Sequence, residues 1–133
     1  MNKRFLLSVL ATFAMSMAFG FFVHGFLLDA DYAQLPNVFR SHEDQSKVFP
    51  YMLLAHVLTA FAFVWIYLRG REDKPFLAQG VRHGVAIATL MTISRFLIYY
   101  AVQPLPGALV FKQIVFDTIG VVVMAIVVAR LNK

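Results

Sequence analysis

Five side chains with ionisable or hydrogen-bonding groups lie inside long apolar stretches of this chain. They are His24, His56, Arg95, Gln113 and Asp117. A charged side chain at the centre of a bilayer costs roughly 2.5–3.5 kcal/mol on insertion scales, so it usually faces a partner or a water-filled cavity. These five residues are therefore the first candidates for a functional site.

Arg95 and Asp117 are the two charges farthest from any polar segment. One interpretation is a buried ion pair that sets the register of two neighbouring helices. In that case each alanine substitution destabilises the protein, and a joint apolar replacement is tolerated. The second interpretation is a hydrated vestibule, in which Arg95 attracts an anion or Asp117 carries a proton. The third is that one of the two charges faces a partner subunit.

His24 and His56 also allow two interpretations. Each imidazole can hydrogen-bond to a carbonyl or hydroxyl group between helices, which requires no cofactor. Alternatively, two imidazoles from adjacent helices can ligate a metal or haem. A zinc or copper site would need a third ligand, for which Asp29 or Glu43 is a candidate. We expect no cofactor, and keep haem or metal binding as the alternative.

The motifs of common hydrolases and nucleotide-binding enzymes are absent from the sequence. It contains no G-x-S-x-G and no P-loop. It also contains no cysteine, which excludes thiolate metal sites and cysteine nucleophiles. We therefore expect a protein that is not an enzyme.

Composition indicates the environment in which these side chains lie. The chain is 60% hydrophobic and 14% charged, and its mean hydropathy is +0.72. A domain of this size could not bury so much apolar surface in water. The net charge of +5 does not indicate nucleic-acid binding, because the basic residues flank the apolar runs. We predict one integral membrane domain covering residues 1–133.

The apolar runs predict an all-α bundle of four transmembrane helices, at about 5–28, 51–68, 77–102 and 108–129. Pro50 is expected to open the second span, because proline suits a first helical turn. Residues 29–49 form a polar loop in which Tyr32, Leu35, Val38 and Phe39 could line a short interfacial helix. The proline-rich turn at 103–107 predicts an antiparallel hairpin of the third and fourth spans.

The distribution of lysine and arginine predicts the orientation of the bundle. Eight basic residues flank the spans on one side, whereas only Arg40 and Lys47 lie in the loop on the other side. This places both termini and the turn near residue 72 in the cytoplasm. The protein is then expected in a bacterial-type inner (plasma) membrane, with the 29–49 loop outside.

With the orientation of the bundle given, the position of a residue in its helix gives its depth below the outer membrane boundary, at about 1.5 Å per residue. On this scale His24, His56 and Arg95 lie roughly 6–10 Å below the outer boundary, and Asp117 about 15 Å below it. Gln113 lies one turn above Asp117 on the same helix face. The five residues therefore form a predicted polar cluster in the outer half of the membrane.

Gly80 and Gly84 form a small-xxx-small motif at the start of the third span. Small residues at this spacing let two helix backbones approach closely in a membrane. We therefore assign this pair to helix packing.

The chain resembles the small four-span bacterial membrane proteins grouped as domains of unknown function. The resemblance rests on VHGFLL at 23–28, MLLAH at 52–56, VWIY at 64–67, GRE at 70–72 and YYAVQPLPG at 99–107. It implies the fold and a membrane location, and it implies no particular activity.

We therefore expect a small integral membrane protein whose outer polar cluster is structural or binds a small ligand. Beyond the lipid bilayer, its expected partners are further copies of itself or a larger membrane complex in which it is an accessory subunit. One alternative is a small transporter or channel that works as an oligomer. Another is a haem- or metal-binding membrane subunit.

Overall fold

The computed structural model describes residues 2–133, all of whose regular secondary structure is helical. Four long helices are joined by one folded loop and two short turns. The helices are α1 (Lys3–Leu27), α2 (Asp29–Ala33), α3 (His42–Gly70), α4 (Phe76–Val102) and α5 (Gly107–Leu131). A π-helical turn ends α1 at Val23–Leu27, and another interrupts α4 at Thr89–Ile93.

The predicted all-α bundle of four candidate membrane helices is confirmed. Helices α1, α3, α4 and α5 are each long and apolar enough to cross a bilayer, with mean hydropathy between 1.7 and 2.3 over their most apolar windows. Only 22–28% of each window is buried inside the protein. Most of the apolar surface therefore faces outwards, as expected for a bundle whose solvent is lipid.

The start of the second long helix differs from the prediction. Helix α3 begins at His42, nine residues before the expected start at 51, so Pro50 lies inside the helix. Ser41 caps this helix by accepting a hydrogen bond from the Asp44 N–H at 3.2 Å. Glu43 and Asp44 in the first turn stabilise the helix start, because their negative charges interact with the positive end of the helix dipole. These signals outweigh the single backbone hydrogen bond that proline cannot donate.

Helix α5 packs against α1 and α4, and α1 also packs against α3. Helix α4 packs mainly along α5. A Cβ atom added at Gly80 or Gly84 would lie 2.7 Å from the Cα atom of Ile126 or Val122, respectively. Glycine is thus what lets these two backbones approach so closely.

Residues 28–41 fold onto the bundle and do not form one interfacial helix. Only Asp29–Ala33 is helical, and turns follow it. Leu35 and Phe39 pack against two small clusters. One consists of Val23, Leu28 and Leu109, and the other of Phe96, Leu105 and Val110. The segment therefore covers one end of the bundle, which we call the loop side.

Both termini lie together at the opposite end, which we call the terminal side. The Arg4 guanidinium donates to the Lys133 carbonyl at 3.2 Å. Asn132 is buried and donates from its amide to Ser8 Oγ and to the Val128 carbonyl, each at 2.8 Å. The Arg71 guanidinium donates to the Asn132 carbonyl at 2.6 Å. These bonds connect the ends of α1, α3 and α5.

The turn between α3 and α4 is held by charge at the same end. Lys74 and Arg82 both bind the Glu72 carboxylate. Their hydrogen bonds lower the pKa of Glu72 to about 2. The carboxylate therefore remains ionised and holds this turn at any physiological pH.

Candidate functional site

His24 lies in the π-helical turn that ends α1. Such a turn inserts one extra residue into the helix and is frequent at functional sites. Asp117 lies in the middle of α5. Because α1 and α5 pack side by side, these two side chains can meet within the bundle.

The two side chains do meet. His24 Nε2 lies 2.9 Å from one carboxylate oxygen of Asp117 and 3.1 Å from the other. The side chains are 33% and 18% exposed, respectively. An ionised carboxylate only accepts hydrogen bonds, so His24 Nε2–H is the donor. Asp117 thus has a partner inside the chain.

The other imidazole nitrogen contacts the loop-side segment. His24 Nδ1 lies 2.5 Å from the Tyr32 hydroxyl, which is supplied by the short helix α2. Burial raises the pKa of Tyr32 to about 12. The phenol therefore keeps its proton and donates it to Nδ1 when His24 is neutral. This protonated state argues against Tyr32 acting as a phenolate nucleophile.

Gln113 completes the cluster one turn along α5 from Asp117. Its Nε2 atom donates to the Tyr32 hydroxyl at 3.2 Å. The side chain is buried, and its Oε1 atom has no hydrogen-bond partner among the described residues. The result is a chain of hydrogen bonds from Gln113 through Tyr32 and His24 to Asp117, with one vacant acceptor at its end.

Arg95 is not part of this cluster, and it does not form the ion pair with Asp117 that was one interpretation of the sequence. Arg95 is exposed on α4, and its guanidinium carbon lies 5.1 Å from the ring centre of Phe96. No carboxylate within residues 2–133 forms a salt bridge with it. The physical reason is competition, since His24 already occupies Asp117 from the neighbouring helix.

His56 has a different partner from His24. Its Nδ1 atom lies 2.9 Å from Ser16 Oγ, and its ring lies beside Gly20 on α1. Ser16 donates its own proton to the Phe13 carbonyl, so the His56 Nδ1–H must be the donor to Ser16. This hydrogen bond connects α3 to α1.

A shared metal or haem site would need His24 and His56 each to present a free nitrogen to the same metal ion. Both nitrogens of His24 are already bonded within the cluster. Across residues 2–133, no three histidine or acidic side chains converge as a metal-binding group. Asp29 instead pairs with His42 at 3.0 Å, and Glu43 lies 3.7 Å from Lys47. The four candidate ligands therefore have separate partners.

Tyr32 is a member of the site that the sequence did not single out. The pattern placed this residue on an apolar face, although a tyrosine buried in a membrane protein needs a partner for its hydroxyl group. Its position, two helical turns after His24, was the available signal. That signal was insufficient because it required knowing that residues 28–41 fold back over the bundle.

Comparisons with known proteins add no family to this description. No protein-family model, no curated protein and no solved structure matches the chain. The four membrane-length helices identify a small membrane protein as the class consistent with the fold. Any more specific function must be argued from the cluster itself.

Proposed function

We propose that this chain is a small integral membrane protein that takes up and releases a proton at the cluster of His24, Tyr32, Gln113 and Asp117. It works as a proton-responsive subunit and not as an enzyme. The observation that carries the proposal is the continuous hydrogen-bonded chain through both nitrogens of His24. Imidazole is also the side chain that ordinarily changes charge between about pH 5 and 8.

The cluster can hold a proton in two complete arrangements. With His24 neutral, Tyr32 donates to Nδ1 and accepts from the Gln113 amide nitrogen. With His24 protonated, Nδ1–H donates to the Tyr32 oxygen, and the tyrosine proton needs another acceptor. The unpartnered Oε1 of Gln113 supplies that acceptor once the amide rotates by half a turn. Asp117 accepts from Nε2–H in both arrangements and balances the positive charge.

The change of arrangement acts on the loop-side segment through Tyr32. This residue is the contact between α2 and the polar cluster, and its ring also packs against Phe39 at a centroid distance of 4.5 Å. Reversing the donor direction at Tyr32 therefore alters how residues 28–41 are held. A subunit of this kind would report the external pH through the position of its outer segment.

The test is infrared difference spectroscopy of the protein in nanodiscs, stepped between about pH 8 and pH 5. Wild-type protein is expected to show coupled imidazole and tyrosine bands, because protonating His24 changes the bonding of Tyr32. His24→Gln should remove the tyrosine band and one imidazole signal. Tyr32→Phe should keep the imidazole band and lose the tyrosine band.

His42→Gln is the matched control, since His42 is an exposed histidine bonded only to Asp29. It should remove one imidazole signal and leave the tyrosine band unchanged. An unchanged tyrosine band in His24→Gln would contradict the proposal. Substrate flux in liposomes that depends on Asp117 would instead favour the small-transporter alternative.

We propose a bacterial inner membrane as the location, with both termini in the cytoplasm. The support is the charge distribution, because most of the lysine and arginine residues flanking the spans cluster at the terminal side. Helix ends there are also connected by Arg4 and Arg71. The loop side then faces the exterior, which is where a sensor of external pH must lie.

The absence of cysteine makes this orientation directly testable. A single cysteine introduced at Gln34 on the loop side should react with a membrane-impermeant maleimide in intact cells. A cysteine at Asp73 in the terminal-side turn should react only after the membrane is opened. The reverse pattern would overturn the proposed orientation.

A further inference from the structure

Among residues 2–133, the charge on Arg95 has no counterion, although it lies about seven residues, or roughly 10 Å, from the loop-side end of α4. Its guanidinium lies over the ring of Phe96. A cation–π contact of this kind compensates only part of the cost of a charge at membrane depth. An anion from outside the chain is the missing partner.

A second copy of this chain offers no carboxylate without a partner on the loop side of the described residues. Asp29 is bonded to His42, Asp31 to Lys112, Glu43 and Asp44 to Lys47, and Asp117 to His24. Arg95 would have to share any of these carboxylates with its present partner, whereas a lipid or solute anion brings its full charge to Arg95.

An apolar groove lies between α3 and α4, and its lining on α4 ends one helical turn before Arg95. It has a volume of about 260 Å³ and is lined mainly by Leu58, Ala62, Phe63, Ile66, Ile87 and Met91. Met91 lies one turn before Arg95 on the same helix, so the arginine is at the loop-side end of the groove. A π-helical turn at Thr89–Ile93 forms this part of the α4 wall.

We propose that this surface binds one phospholipid of the leaflet on the loop side, with its phosphate on Arg95 and one acyl chain in the groove. The order of Arg95 and the groove along α4 matches such a lipid. Arg95, which would bind the phosphate, lies nearer the membrane surface, and the apolar groove lies deeper. Guanidinium is also well suited to bind phosphate through two parallel hydrogen bonds.

The length and the lining of the groove suit one acyl chain. The lining residues of α3 extend from Leu58 to Ile66, a rise of about 12 Å, and Thr59 is the one polar residue in the lining.

The experiment is native mass spectrometry of the protein reconstituted with phosphatidylcholine and then released into detergent. Wild-type protein is expected to retain one phospholipid. Arg95→Gln should lower that occupancy about tenfold, since it removes a charge-assisted hydrogen bond. Ala62→Phe fills the groove while keeping Arg95, and should lower occupancy to a similar extent.

Arg40→Gln is the control, because Arg40 is an exposed loop-side cation away from the groove. The lipid occupancy of this variant should equal that of the wild-type protein. Arg95→Lys keeps the charge and should retain an intermediate amount, which separates lost binding from lost folding. Equal retention in Arg95→Gln overturns the proposal. So does saturation by inorganic phosphate alone, which would mean a free-anion site, or an acidic membrane protein that co-purifies through Arg95 in place of lipid.

Discussion

Gly84→Ala is expected to separate α4 from α5 and to lower the free energy of unfolding by about 1–3 kcal/mol, the usual range for overpacking. The added Cβ would lie 2.7 Å from the Val122 Cα atom, whereas carbon atoms pack best at about 3.5–4.0 Å. The obstacle is backbone, so no rotamer change can relieve it. The two helices must move apart, and contacts along their whole interface weaken.

Gly80→Ala should have a similar effect, because its Cβ would lie 2.7 Å from the Ile126 Cα atom. The measurement is reversible unfolding in mixed micelles with increasing SDS. Gly70→Ala is the matched control, since a Cβ at that position meets no atom within 4 Å. If Gly84→Ala unfolded at the same SDS fraction as Gly70→Ala, the close approach of α4 and α5 would be incorrect.

The second large effect is expected from His24→Ala, which leaves the Asp117 carboxylate without its donor in the interior of the bundle. We expect a loss of about 3 kcal/mol, comparable to the cost of an unpaired charge at membrane depth. Asp117→Ala should cost less, because it leaves only a neutral imidazole N–H without an acceptor.

A double-mutant cycle then tests which residues are coupled. The His24–Asp117 cycle should give a coupling free energy of about 1–2 kcal/mol, near the upper end measured for polar contacts in membranes. The Arg95–Asp117 cycle should be additive, since these two residues form no salt bridge. Coupling in the second cycle and none in the first would favour an ion pair of Arg95 and Asp117 instead.

The four long helices could be predicted because they depend on local composition. An apolar run of about 20 residues can satisfy its backbone in lipid only as a helix, so length and hydropathy were sufficient. The ends of the helices were harder to predict. Pro50 favoured a helix start at 51, whereas the Ser41 cap and the acidic residues of the first turn favoured a start at His42, where α3 begins.

The members of the polar cluster were predicted in part. His24, Gln113 and Asp117 were found from their depth alone, and the structure brings them together. Depth fixes one coordinate along the membrane normal and leaves the rotation of each helix open. Since all four long helices are apolar on nearly every face, no hydrophobic stripe indicated which way Arg95 or His56 would point.

The sequence by itself determined the class of structure, namely four membrane-length helices, their hairpin order and the approximate depth of the candidate polar side chains. Only the tertiary structure decided that Asp117 pairs with His24, that Tyr32 joins them, and that Arg95 lies outside. The reason is that helix formation and burial in lipid are local properties of a segment. Pairing between side chains depends instead on helix rotation, on the π-helical turn at His24, and on a loop that folds over the bundle.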